Sequence, residues 1–142
     1  MTNNRTAIAL VTSLFFLWAL AHNLNPILIP HLRKALQLTD LRSALVDSAF
    51  FIAYFVIALP AGALMKRFGY RAGIVGGLLL FATGTFLFWP AATLRSYPFF
   101  LSALFVIANG LTFLETAANP YISVLGDPAT APRRLNFAQA FN

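Results

Sequence analysis

Long apolar blocks constrain this chain more than any other feature of its sequence. Four of them are long enough to cross the roughly 30 Å of membrane hydrocarbon at about 1.5 Å per helical residue. The blocks are Ala7–Pro30, Arg42–Met65, Ala72–Ala92 and Phe99–Leu125. In lipid only helices and closed barrels satisfy every backbone group, and these blocks lack the alternation of barrel strands. The sequence therefore predicts four transmembrane helices.

The segments between the blocks have the composition of connections. His31–Leu41 is polar, Lys66–Arg71 is a tight basic turn, and Tyr97-Pro98 places a proline at the start of the fourth block, where helices tolerate it. A fifth span begins near Leu135 and has made only a couple of turns at Asn142. We predict an all-α membrane protein with four transmembrane helices and the start of a fifth, all in one partial helical domain.

Composition excludes several classes of protein. Of the 142 residues, 59% are hydrophobic and 10% are charged, whereas soluble domains have about a quarter charged residues. The net charge of +6 would suit a nucleic acid, but the basic residues lie between apolar blocks and not along one face, so we predict no nucleic-acid partner. The absence of cysteine excludes disulfides and thiolate metal sites.

The first block has an alternative interpretation as a cleaved secretory signal. Arg5, the apolar run Ala7–Trp18 and the small residues of Ala19-Leu20-Ala21 fit that pattern. Apolar residues resume at Ile27–Ile29, however, and three further spans follow. We therefore favour a retained helix.

Loop charge predicts the orientation. Cytoplasmic loops of membrane proteins are enriched in lysine and arginine. Six basic residues fall on the side of the amino terminus and four on the other, and the short turn after the second span is the densest group. The six are Arg5, Lys66, Arg67, Arg71, Arg133 and Arg134, and the four are Arg33, Lys34, Arg42 and Arg95. The amino terminus is predicted to be cytoplasmic.

A polar stripe runs along the fourth predicted helix and contains an acid. Ionisable groups in lipid are costly, so function is the default hypothesis for Glu115. At about 100° per residue the polar side chains fall within an arc of roughly 120°. They are Asn109, Thr112, Glu115, Thr116 and Asn119. The stripe predicts a helix that lines a wet cavity, and the alternative is a structural hydrogen-bond network between helices.

The first two predicted helices contain further polar groups. Asp47 lies in the second helix, either as a functional acid or as an acid near the membrane surface. His22 is interpreted first as a packed, hydrogen-bonded histidine and second as a proton carrier. A proline within a helix, such as Pro26, frees a backbone carbonyl that polar groups or water satisfy. Asn119-Pro120 predicts a kink of the kind that borders substrate sites.

Several stretches resemble the fucose–galactose–hexose branch of the major facilitator superfamily. They are Leu17-Trp18, Asn23-Leu24-Asn25, Ile27–Pro30, Leu59–Gly62, Lys66–Tyr70, Leu114–Pro120 and Leu135–Asn142. The resemblance extends over nearly the whole chain, although Lys66 stands where most of the superfamily has aspartate. It implies the amino-terminal part of a twelve-helix, two-domain transporter in a bacterial-type inner membrane. It also implies that Glu115 is the coupling acid of the central cavity and that Asn23, Gln139 and Asn142 bind sugar hydroxyls, with Asn119 as a further candidate.

One departure from the family pattern affects proton coupling. The family's other acid belongs to an Asn-Leu-Asn-Asp pattern, in which this chain has Pro26. The first two helices form an antiparallel hairpin, and Pro26 and Asp47 lie at similar distances from its connection. We therefore hypothesise that Asp47 supplies the missing acid from the neighbouring helix.

The predicted function is proton-coupled transport of a monosaccharide by alternating access. Its partners are the sugar, a proton, the lipid bilayer and the remainder of the transporter, and no cofactor or metal is predicted. The alternative is a non-transporting membrane sensor, or an inactive fragment that packs with a partner. No His-Glu-x-x-His or Gly-x-Ser-x-Gly pattern occurs, so an intramembrane enzyme is not predicted.

Overall fold

The computed structural model describes residues 4–142, except for the side chains of Asn4 and Asn25. The described chain contains four α-helices and no strand. They are α1 (Asn4–Leu36), α2 (Asp40–Thr93), α3 (Tyr97–Val124) and α4 (Ala131–Gln139), with a 3₁₀ turn at Pro128–Thr130 before α4. By length and composition, α1, α2 and α3 are apolar enough to cross a membrane.

Helix α2 contains a reversal at Gly69. This residue has φ 83° and ψ 165°, a backbone conformation that is open to glycine but strained for residues with a Cβ. Val46 and Ala91, near opposite ends of α2, lie in one buried cluster with Phe100 and Leu104 of α3. The two arms of α2, residues 40–68 and 70–93, therefore run antiparallel, and either arm exceeds about 30 Å in length.

The connection between α1 and α2 is shorter than the polar segment His31–Leu41 suggests. Helix α1 continues to Leu36, and the next residue, Gln37, has φ 50°. Thr39 then caps α2, because its hydroxyl accepts a hydrogen bond from the backbone N–H of Arg42 at 3.3 Å. Arg33 and Asp40 form an ion pair across the connection. Because these charged and polar groups find partners at the connection, α1 continues as a helix beyond its apolar block.

Helices α2 and α3 approach closely through glycine. A Cβ at Gly110 would lie 2.6 Å from the backbone nitrogen of Phe81, and one at Gly84 would lie 2.7 Å from that of Ile107. Small residues at helix interfaces allow such approach in membrane proteins. Gly77 also contacts α3, whereas Gly76 has nothing within 4 Å.

The remaining helices pack around α3. Val11 and Phe15 of α1 are buried against Ala118 and Ile122 of α3, and Ala138 of α4 joins the same cluster. Large apolar side chains are exposed on the outer faces, including Phe55 at 84% and Phe86 at 79%. Exposure of so much apolar surface to water would be unfavourable, whereas lipid solvates it. The predicted all-α membrane fold is confirmed.

Helix α4 begins earlier than the predicted start of the fifth span at Leu135. Its first residue is Ala131, and Pro132 occupies a position in the first turn where a proline is compatible with the helix. The described helix ends at Gln139, and residues 140–142 form a turn in which the backbone N–H of Asn142 donates to the carbonyl of Gln139 at 3.1 Å.

Candidate functional site

The polar stripe of α3 is partly buried and bonds mainly within its own helix. The buried hydroxyl of Thr112 donates to the carbonyl of Ala108 at 2.8 Å, and the amide of Asn119 donates to the carbonyl of Glu115 at 3.1 Å. The Oδ1 atom of Asn109 is buried and accepts no hydrogen bond from residues 4–142. The hydroxyl of Thr112 and the amide N–H of Asn119 thus bond within α3, and within residues 4–142 the hydrogen bond of the stripe to another helix is the one that Asn119 accepts from Gln139 of α4.

Glu115 is half-buried and faces two other helices. Its carboxylate interacts electrostatically with His22 of α1 and with Tyr54 of α2. Within the described residues, no lysine or arginine forms an ion pair with it. An acid in a membrane helix without a paired cation is a functional candidate, because a permanently ionised group there would be costly.

Aromatic side chains hold α1 against the first arm of α2 beside this acid. The indole N–H of Trp18 donates to the hydroxyl of Tyr54 at 3.1 Å. The ring of His22 lies 5.5 Å from that of Phe50 and 6.1 Å from that of Tyr54, measured between centroids. The Nδ1 atom of His22 is buried without a hydrogen-bond partner in the described chain. His22 is thus packed, but the bonding expected of a structural histidine is absent at Nδ1.

Asp47 and Pro26 lie on the wall of one cavity between α1 and α2. The cavity has a volume of about 370 Å³ and is lined by His22, Pro26, Ile29, Pro30, Asp47, Phe50 and Phe51. The Asp47 side chain is exposed. The antiparallel pairing of α1 with the first arm of α2 brings these two positions together, which is the arrangement that an acid acting in place of Pro26 requires.

Asn119 and Gln139 meet where α3 and α4 approach. The amide of Gln139 donates to Oδ1 of Asn119 at 3.2 Å. Amides offer both donors and acceptors, so this pair presents the groups that sugar hydroxyls require. Gln139 is exposed and Asn119 is half-buried, so the pair is accessible from one side.

The other two predicted sugar-binding residues lie apart from this pair. Asn23 is exposed, and its amide donates to the carbonyl of Ala19 on its own helix at 2.8 Å. Asn142 is exposed beyond the end of α4. No hydrogen bond within residues 4–142 joins either side chain to Asn119 or Gln139.

Arg134 positions α4, a role that loop-charge counting missed. Its guanidinium donates to the carbonyls of Ser123 at 2.9 Å, of Ile122 at 3.3 Å and of Asp127 at 2.8 Å. These are carbonyls at the end of α3 and in the loop after it, where no helical partner is available. A cation shortly after a predicted helix end is the signal that could have identified it.

No metal centre is apparent in the described part of the chain. No three histidine, cysteine, aspartate or glutamate side chains within residues 4–142 are close enough together to hold a metal ion. His22, Asp47 and Glu115 therefore do not form a ligand set for a metal ion.

Comparison with known proteins assigns the family. Residues 7–142 match the Major Facilitator Superfamily. The chain belongs to this superfamily. Members of the Major Facilitator Superfamily are transporters, and the resemblance of the sequence motifs to this family is confirmed.

Two curated superfamily members illustrate the similarity. The chain is 54% identical over 134 residues to the L-fucose-proton symporter of Escherichia coli (strain K12), covering 94% of this chain and 31% of that protein. It is 52% identical over 136 residues to the glucose/galactose transporter of Brucella abortus biovar 1 (strain 9-941), covering 96% of this chain and 33% of that protein. The chain thus spans about a third of the length of these relatives.

Two solved structures share the fold. The E. coli fucose:proton symporter superposes with a TM-score of 0.84 at 51% identity, over 97% of this chain and 33% of that one. A second structure of the same transporter, in the outward conformation, gives a TM-score of 0.83 at 53% identity, over 95% of this chain and 33% of that one.

Proposed function

We propose that the chain is the amino-terminal part of a monosaccharide–proton symporter of the Major Facilitator Superfamily that works by alternating access. The position of Glu115 carries the proposal: it is half-buried on a polar stripe that faces α1 and α2, and no lysine or arginine of residues 4–142 forms an ion pair with it. The names of the relatives supply the substrate class, which is fucose, glucose or galactose.

Proton coupling follows from the cost of moving charge through a membrane. An ionised carboxylate opposes reorientation of its domain across a low-dielectric interior, and protonation removes that charge. One proton that enters down a potential of 100 mV supplies about 2.3 kcal/mol, which corresponds to about 50-fold accumulation of sugar. In this proposal Glu115 is the group that carries the proton.

Sugar recognition is assigned to the amide side chains. Asn119 and Gln139 form the hydrogen-bonded pair described above, and Asn23 and Asn142 are proposed to complete the set. A sugar hydroxyl that inserts between Asn119 and Gln139 can accept from the amide N–H of Gln139 and donate to Oδ1 of Asn119. The remainder of the transporter supplies the other wall of the sugar site.

Asp47 is proposed to act in place of the family acid that is missing at Pro26. The shared cavity of Asp47 and Pro26 supports this assignment. Asp47→Asn should abolish sugar-driven proton uptake, whereas Asp40→Asn is a matched control because Asp40 is an exposed acid at the start of the same helix. Unchanged proton uptake in Asp47→Asn would refute the assignment.

The location proposed is a bacterial inner membrane, with the amino terminus in the cytoplasm. The exposed residues Lys66, Arg67 and Arg71 at the reversal of α2 support this orientation, since short basic turns remain on the cytoplasmic side.

Uptake by cells tests the proposed function. The complete reading frame that encodes this chain is expressed in E. coli lacking its own L-fucose–proton symporter, and uptake of labelled fucose, galactose and glucose is measured with and without a protonophore. We expect one of these sugars to accumulate and the protonophore to abolish the gradient. Membrane-localised protein that moves none of them would contradict the proposal and favour a non-transporting membrane protein.

A further inference from the structure

His22 lines a cavity with one acid of the proposed transport site and interacts electrostatically with the other acid. It shares the cavity of about 370 Å³ with Asp47 and Pro26. It also interacts electrostatically with Glu115. The two carboxylates come from the first arm of α2 and from α3, and His22 of α1 is the histidine that faces both helices.

The immediate surroundings of His22 restrain the ring without saturating its nitrogens. Phe50 and Tyr54 contact the ring through their aromatic faces and edges. The hydroxyl of Tyr54 already accepts the hydrogen bond of Trp18. Nδ1 of His22 is buried and bonds to nothing within residues 4–142. A histidine that served packing alone would be expected to pair its buried nitrogens, because an unsatisfied buried polar atom is destabilising.

The titratable groups that face His22 are few. Helix α2 presents Asp47 and Tyr54, and α3 presents Glu115. Among the residues that the structure describes, no lysine or arginine lines the cavity. The relay proposed below uses the imidazole and the two carboxylates.

We propose that His22 relays the proton between Asp47 and Glu115, an inference that rests on the proposed function. The protonated carboxyl of Asp47 gives one proton to a ring nitrogen of neutral His22 and becomes a carboxylate. The imidazolium then releases one proton from its other nitrogen to the Glu115 carboxylate, which becomes a neutral carboxyl. Exchange of the ring tautomer then returns His22 to its starting form. The net result is the transfer of one proton from Asp47 to Glu115, so protons and charge balance.

The relay does not run through a direct chain of hydrogen bonds. No hydrogen bond between described residues joins Asp47, His22 and Glu115, and the three are too far apart to hold a single metal ion. The cavity at Asp47 has ample room for water, since about 30 Å³ is the share of one molecule in the liquid. Water or carboxylate rotation carries the proton over each gap.

The test compares accumulation with exchange in the complete reading frame. His22→Gln retains hydrogen bonding but cannot carry a proton. We expect sugar accumulation to fall from up to about 50-fold at 100 mV to near unity, while exchange of internal for external sugar stays near the wild-type rate. His31→Gln is the matched control, because His31 is exposed near the end of the same helix. It should accumulate sugar as the wild type does.

A second variant separates proton transfer from packing. Pro26→Asp in the His22→Gln background returns an acid to the cavity wall beside Asp47, and we expect it to restore coupling. Pro26→Asn in the same background removes the same proline without adding an acid, and should not restore it. A ring needed only for packing between Phe50 and Tyr54 would not be replaced by an acid at Pro26.

Several results would overturn the relay. One is that His22→Gln accumulates sugar as the wild type does. Another is that His22→Gln loses sugar exchange together with accumulation. A third is that Pro26→Asp in the His22→Gln background reaches the membrane but does not restore coupling. Absence of both His22→Gln and His22→Asn from the membrane would assign the ring to packing and likewise contradict it. A wild-type protein that moves sugar without protons would instead contradict the proposed function, so the two failures are distinguishable.

Discussion

Helices α3 and α1 both carry residues of the proposed site, but they are held in place very differently. Helix α3 is packed against both arms of α2, against α1 and against α4, and its apolar arc is buried at Leu111, Leu114 and Ala118. Helix α1 is buried at only a few positions, and Leu17, Leu24 and Ile27 are each more than half exposed. Glu115 is therefore positioned by packing, whereas Asn23 is positioned by the backbone of its own helix. Substitutions that disturb α3 should cost more than equivalent ones on α1.

The largest effect is expected at the closest approach of α3 to α2. Gly110→Ala would place a Cβ 2.6 Å from the backbone nitrogen of Phe81, so the helices must separate. Overpacking of this kind costs about 1–3 kcal/mol. Thermal unfolding of the purified protein in detergent measures it. Gly76→Ala is the control, because nothing lies within 4 Å of that position, and equal stability of the two variants would contradict the close packing of α3.

The next effect is expected where α3 meets α4. Arg134→Ala removes the guanidinium that bonds the carbonyls of Ile122 and Ser123, and hydrogen bonds to charged groups contribute about 1.5–3 kcal/mol. Partial exposure of the side chain favours the lower end of that range. We expect lower thermal stability together with a raised KM for sugar uptake, because Gln139 loses its position beside Asn119.

Arg133→Ala is the control for that prediction, since Arg133 is an exposed neighbour on the same helix. If both substitutions left stability and KM unchanged, Arg134 would not position the amide pair.

The smallest effect is expected on α1. Trp18→Phe keeps an aromatic ring but removes the hydrogen bond to the hydroxyl of Tyr54, which predicts a loss of about 0.5–1.5 kcal/mol. Unfolding curves of this variant and of Trp89→Phe, at a residue that is 78% exposed, provide the comparison. A loss at Trp18 larger than that at Gly110 would reverse the ranking of the two helices.

The helices, and the helix face on which Glu115 lies, were predictable from sequence for simple reasons. Apolar blocks of this length have few alternatives in lipid. Residues Thr112, Glu115 and Asn119 recur at helical spacing, so their common face follows from about 3.6 residues per turn. Gly69 within a short basic turn was likewise a local signal, although the sequence did not show that one glycine alone carries the reversal.

Contacts between helices were less accessible to sequence reasoning. Trp18 and Tyr54 are 36 positions apart, and no local pattern sets the rotation of α1 about its axis against α2. The contact of Arg134 with the end of α3 depends on the path of the loop at residues 125–130 for the same reason. Asn23 and Asn142 are exposed amides that no packing within residues 4–142 orients. The sequence could therefore predict them as sugar-binding residues only through the family resemblance.

Sugar-driven proton movement in a Glu115→Gln variant tests the central claim most directly. Cells expressing the complete reading frame are held in weakly buffered medium, and a pH electrode follows the addition of the transported sugar, with Asp40→Asn as the matched acid-to-amide control. The account predicts that the medium becomes alkaline with the wild type and the control, and that Glu115→Gln abolishes the signal while sugar exchange continues. A Glu115→Gln variant that still takes up protons with sugar at the wild-type ratio would contradict the account.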